Sequence, residues 1–127
     1  MTPDRFDHHA IARGLVWALA VAVPAGLISP SLDRDSWVLA PLTAMVMAGL
    51  IVGAATAARR QVRGLPLAHG LVTALIAWAF AQSLGIVRRL IRDSEISGSK
   101  ILSSMLLSMI AGTIGGLIGS RRANRRV

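Results

Sequence analysis

The sequence predicts an all-α membrane protein of four transmembrane helices, and three observations carry that prediction. Hydrophobic residues make up 54% of the 127 and charged residues only 16%, whereas a soluble domain is about a quarter charged. The apolar residues gather into four long runs, and charged or proline-containing stretches separate them. Each run is 19 to 22 residues long, which at about 1.5 Å per residue gives roughly 30 Å, the thickness of a bilayer's hydrocarbon core. The runs are Ala- and Leu-rich and twice the length of a barrel strand, so strands are excluded. The chain is expected to form one transmembrane domain over residues 1–127, with mean hydropathy +0.60.

The first span is expected over residues 11–29. The stretch before it holds Arg5 against Asp4 and Asp7, so it lacks the basic character of a secretory leader. The apolar run ends at Ser29-Pro30, with proline where a cleaved product would begin, so a retained span is expected. Arg13 is its one cation and lies close enough to the end to snorkel. Pro24 removes a helix hydrogen bond, and a kink is expected there. The second span, 37–58, opens on Trp37, an interfacial anchor by position, and stops at Arg59-Arg60. The third, 66–87, opens on Pro66, tolerated in a first turn, and stops at Arg88-Arg89. The periodic Val87, Leu90 and Ile91 carry that helix onward, either emerging from the membrane or bending onto its surface. The fourth, 101–120, stops at Arg121-Arg122.

Lys and Arg in the short loops set the orientation. With the N-terminus cytoplasmic, nine fall inside and five outside, so both termini are expected in the cytoplasm. The outer arginines Arg88, Arg89 and Arg92, with Lys100, strain this topology: they bind anionic headgroups there or the orientation is reversed. Arg59, Arg60, Arg121, Arg122, Arg125 and Arg126 are expected to hold anionic lipid headgroups, at about 1 kcal/mol for each basic residue near the surface. A pI near 11.9 does not imply nucleic-acid binding, because these charges flank spans and have no aromatic stacking platform beside them.

The chain contains a candidate internal repeat. Residues 12–20 align with 68–76 at an offset of 56, with six of nine identical, and 48–53 align with 111–116 at an offset of 63, with four of six identical. Chance similarity of Ala/Gly/Leu-rich spans is the alternative. The order of the matches, the glycine placement and the shared arginine endings favour duplication. Two tandem hairpins would then be related by a pseudo-twofold axis along the membrane normal. Gly49, Gly53, Gly112 and Gly116 are the expected helix-packing residues, with spans two and four crossing at them on that axis. The competing arrangement makes the glycine-rich fourth span a homodimer seam.

His69, Thr73, Gln82 and Ser83 form a candidate polar pathway. Each also has a plainer explanation: His69 as an interfacial anchor, Gln82 and Ser83 in interhelical hydrogen bonds or at a wet boundary, Thr73 bonded back to its own helix. No Asp or Glu lies in a span, and there is no cysteine, nucleophile–base pair, metal-ligand set or phosphate-binding loop. No enzyme activity, cofactor or metal is therefore expected.

The size and layout resemble the small multidrug-resistance transporters, but those depend on a glutamate within the first span, which this chain lacks. A fuller resemblance covers most of the chain. The Arg13-Gly14-Leu15-Val16 opening, the run Pro66-Leu67-Ala68-His69-Gly70-Leu71-Val72 and the glycine-rich last span ending in arginines are similar to an uncharacterised family of small four-span membrane proteins of high-GC Gram-positive bacteria. The use of 13 Arg to one Lys fits a GC-rich genome. This resemblance implies the bacterial plasma membrane and this layout, and no activity. The expected function is a non-catalytic integral membrane protein, structural or accessory to a membrane complex. The alternative is a small oligomeric transporter of a neutral or anionic solute. Expected partners are the lipid bilayer, anionic headgroups and either a second copy or a larger membrane protein, with no nucleic acid.

Overall fold

The computed structural model describes residues 6–28, 35 and 37–124, with side chains through residue 122. Four helices follow in order: α1 (His8–Ile28), α2 (Leu39–Arg60), α3 (Pro66–Ile91) and α4 (Gly98–Asn124). All four are long and apolar enough to cross a membrane, and no strand is present among the described residues. The chain has the build of a multi-pass membrane protein. Arg125 and Arg126 lie outside the described residues, as does the end of the first predicted span at Ser29.

Local chemistry accounts for the helix ends. Asp7 caps α1: its Oδ1 accepts the Ala10 N–H at 3.1 Å, and its carbonyl accepts the Ile11 N–H at 3.1 Å. Between α2 and α3 the Gln61 side-chain oxygen accepts the N–H groups of Arg63 (2.8 Å) and Leu65 (3.2 Å). Gly64 takes a left-handed φ of 75°, and Pro66 starts α3 where its missing N–H costs nothing. The α3 helix runs past Val87 to Ile91, as its apolar periodicity predicts. It closes with the Ser94 N–H on the Arg89 carbonyl (2.9 Å) and the Asp93 N–H on the Leu90 carbonyl (3.4 Å). These are the two bonds of a Schellman ending, with Asp93 at φ 51° where glycine is usual.

The helices pack as a bundle in which α2 and α3 touch across the short diagonal, while α1 and α4 each lie against both. A strict twofold carrying α1 onto α3 and α2 onto α4 would make the α1–α4 and α2–α3 contacts alike. Only the α2–α3 contact is substantial.

Glycine and alanine set the approach distances. A Cβ placed on Gly14 would stand 2.5 Å from the Gly53 carbonyl oxygen, and one on Gly70 would stand 2.7 Å from the Gly116 Cα. Gly49 and Gly53 thus face α1, meeting Val21, Gly14 and Ala18, and Gly112 and Gly116 face α3, meeting Gly70, Ala74 and Leu67. This corrects the expected crossing of spans two and four at those four glycines. Here α4 meets α2 through Gly115 and Gly119, which lie against Ile51, Ala54, Ala55 and Ala58. The physical reason is helical phase: positions three apart are offset by about 60° around the axis. The stripe of Gly112 and Gly116 and the stripe of Gly115 and Gly119 therefore serve two different neighbours. Both stripes lie against helices of the same chain.

Around the bundle centre Ala18, Ala54, Ala74, Ala77 and Ala111 are fully buried. Larger apolar side chains, among them Trp17, Met45, Phe80, Leu102, Leu106 and Ile110, point outward. In lipid this arrangement is favoured, because small residues let backbones approach while large apolar side chains meet acyl chains at no cost.

Candidate functional site

Three polar features are built into this apolar frame: a histidine clasp, a serine-centred bond set and an arginine-lined cleft.

The clasp joins the beginnings of α1 and α3. His69 is fully buried. Its Nε2 accepts the Asp7 backbone N–H at 2.8 Å, and its Nδ1 lies 2.7 Å from the Leu65 carbonyl oxygen. A carbonyl only accepts, so Nδ1 carries the proton and Nε2 the lone pair, which is the neutral imidazole with both nitrogens used. The Phe6 ring stands 5.4 Å from the imidazole, centroid to centroid, tilted by 57°. The Asp7 carboxyl is held below its ordinary value of 3.8, chiefly by the Ala10 N–H, with the N–H groups of His9 and Val62 acting in the same direction against partial burial. Asp7 thereby draws together α1, α3 and the α2–α3 turn.

Thr73, one turn along α3, is also fully buried and donates to the His69 carbonyl at 2.7 Å. Its methyl group lies against Gly14: a Cβ on Gly14 would stand 2.9 Å from Thr73 Cγ2. Thr43 and Thr56 bond back to Leu39 and Val52 in the same manner.

Farther along α3, Ser104 of α4 gathers two donors. Trp78 Nε1–H reaches its Oγ at 3.0 Å and the Gln82 Nε2 amide at 2.6 Å, while the Ser104 hydroxyl donates to the Ile101 carbonyl at 2.8 Å. Both lone pairs and the proton of Ser104 are in use. Ser83 turns outward and donates to Ala79 at 2.8 Å.

The cleft lies between the second halves of α1 and α3 and encloses about 620 Å³. Its walls are Ala22, Val23, Gly26 and Leu27 on one side and Ala81, Leu84 and Gly85 on the other. Gln82, Arg88, Arg89, Arg92 and Ser94 complete it. Arg88 Nη1–H donates to the Leu27 carbonyl at 2.9 Å, at the negative end of the α1 dipole. Toward the middle of the bundle α1 and α3 close up at Gly14 and Thr73, so the cleft is a recess at one end.

The four residues of the candidate pathway therefore do not share a cavity. His69 and Thr73 are consumed in helix packing, Gln82 joins α3 to α4 and edges the cleft, and Ser83 is exposed. The position of His69 near the end of its span suggested a headgroup anchor; it is instead the buried tie for the chain ahead of α1. Arg59, Arg60, Arg121 and Arg122 are exposed together at the end where the clasp lies. Trp37 is exposed at the start of the second span. Among the described residues, no group of three or more His, Asp or Glu could hold a metal ion. Among the described residues, no buried side-chain nitrogen or oxygen lacks a partner.

Sequence reasoning did not find Phe6 and Asp7 as partners of His69, Ser104 as a shared acceptor, or the cleft. The signals were present but faint. Asp7 three residues before Ala10 is an N-cap spacing, and Gly26 and Gly85 stand at corresponding depths of the first and third spans, which run in the same direction.

The chain matches no protein-family model, no curated protein and no solved structure.

Proposed function

We propose that this chain is a non-catalytic, multi-pass protein of the bacterial plasma membrane, with both termini cytoplasmic, that serves a structural or accessory role in a membrane complex. One observation carries this reading: outside the arginine-edged cleft, the buried polar groups of the bundle are taken up in hydrogen bonds within or between the helices, and they line no path through it. The His69 nitrogens, the Thr73 hydroxyl and the Ser104 hydroxyl are all committed. Alanines close the space between the helices. Since the glycine stripes are spent inside, a partner would meet the outward faces rich in Leu, Ile and Val rather than the small-residue faces.

Membership of the four-span family of high-GC Gram-positive bacteria and origin by duplication belong to the same proposal. Duplication is supported by the likeness of the two hairpins. Gly14 meets Gly53 as Gly70 meets Gly116, and Ala18 faces Gly53 as Ala74 faces Gly112. The second pair is displaced by one helical turn from the alignment.

The rival reading, a small oligomeric transporter of a neutral or anionic solute, has the arginine-lined cleft in its favour and the contact of Gly14 with Thr73 beyond it against it. Purification of the tagged chain in native nanodiscs tests the two. A larger membrane protein recovered in fixed stoichiometry is the expected result. A lone chain or homo-oligomer that moves solute when reconstituted would overturn the accessory reading.

A further inference from the structure

We infer that the cleft between α1 and α3 is a binding site for one anionic phospholipid, its phosphate held by Arg88, Arg89 and Arg92 and an acyl segment lying against Gly26, Ala81 and Gly85. The site does not depend on the accessory role, since nothing in it requires a protein partner.

Charge is the first ground. Three guanidiniums, Arg88 and Arg89 from the last turn of α3 and Arg92 at its C-cap, edge the cleft, and no carboxylate lines it among the described residues. Arg88 spends one N–H on the Leu27 carbonyl, which fixes its guanidinium over the recess and leaves further donors of its five for an anion. Arginine's fork of donors suits phosphate oxygens.

Shape and depth are the second ground. A soluble anion would need only the arginines, yet the recess continues down apolar walls. Ala81 lies seven residues below Arg88, about 10 Å along the helix. The site thus begins where the apolar run of α3 gives way to charge and extends into the depth of the acyl chains. A Cβ added to Gly26 or Gly85 would meet no atom within 4 Å, so these glycines do not serve a helix contact as Gly14 and Gly70 do. They leave room. The cleft volume of about 620 Å³ exceeds what a phosphate group fills and falls within the range of ligand pockets, roughly 300–1,000 Å³.

Native mass spectrometry of the full chain released from micelles tests the site, with phosphatidylglycerol, phosphatidylcholine and inorganic phosphate as probes. One phosphatidylglycerol per chain should survive release in preference to phosphatidylcholine. Arg89→Gln and Arg92→Gln should each weaken its retention roughly fivefold, while Arg63→Gln, the same loss of charge in the α2–α3 turn, should not. Gly85→Leu fills the lower recess and leaves the arginines intact. It should abolish lipid retention, and Gly26→Leu should do the same from the opposite wall, with thermal unfolding showing both variants folded. Equal retention of the two lipids, or lipid retention unchanged in both leucine variants, overturns the proposal. Inorganic phosphate that displaces the lipid and binds unchanged to Gly85→Leu would also overturn it, leaving an anion site without an acyl chain.

Discussion

His69 Nε2 accepts the backbone N–H of Asp7 at 2.8 Å across a separation of 62 residues. Asp7 in turn uses its side chain to cap α1. The first helix therefore begins where a residue of the third helix permits, and one imidazole holds the two hairpins together at their shared end. Because the Leu65 carbonyl occupies the other nitrogen, the ring has no remaining site for a metal or a relayed proton in this arrangement.

His69→Phe should keep an aromatic ring beside Phe6 while leaving the Asp7 N–H without its acceptor and the Leu65 carbonyl with the residue-69 backbone N–H alone. A loss of about 1–3 kcal/mol is expected, read by unfolding in mixed micelles. The Asp7 amide should lose its protection from exchange. In the unaltered chain, nitrogen NMR should show a protonated Nδ1 and an unprotonated Nε2.

Asp7 predicts the direction of a pH effect. Its carboxyl titrates below 3.8 in the folded chain because backbone N–H groups, Ala10 first, stabilise its charged form. Stability from a depressed carboxyl is fully present above the unfolded value and is lost as pH falls through the lower folded one. Exchange of the Ala10 amide should therefore quicken below about pH 4. In Asp7→Asn this acid-dependent step should disappear.

The helices were legible in the sequence because a membrane span depends on composition and length, which the four apolar runs state outright. Their pairing was less legible. Gly112 and Gly115 belong to stripes only about 60° apart on α4, and residue type alone does not say which stripe faces which helix. The offset alignment placed Gly53 opposite Gly116 as symmetry mates, whereas each packs within its own hairpin. His69 was misread for a similar reason. Its place near the end of the span suggested an interfacial anchor, but His69 is buried, covered by the stretch Phe6-Asp7 that precedes α1.

Ser104→Ala should strip two donors of their acceptor at once, the Trp78 indole and the Gln82 amide. Interhelical bonds of this kind are worth about 1 kcal/mol each in membranes, and a double-mutant cycle with Gln82→Leu should recover a coupling of that size. Ser83→Ala, which breaks only a bond to its own helix, should change stability by less than about 0.5 kcal/mol. If the two serine variants proved equal, Ser104 would not be the junction between α3 and α4.

Glycines of identical chemistry should divide sharply by position. Gly14→Ala places a methyl group 2.5 Å from the Gly53 carbonyl oxygen, and Gly115→Ala places one 2.5 Å from the Ile51 carbonyl oxygen. Backbone cannot yield as a flexible side chain can, so each should cost about 1–3 kcal/mol. Gly26→Ala meets open space and should be neutral or gain up to about 1 kcal/mol from helix propensity. Gly70→Ala should behave like Gly14→Ala, because Gly70 stands 2.7 Å, measured from the added Cβ, from the Gly116 Cα. Stability measured for all four by the same micelle titration separates the contacts between helices from the arrangement they produce. Loss at Gly115 as large as that at Gly14 would place the α2–α4 crossing at the second glycine stripe, and no loss at Gly115 would remove it from there.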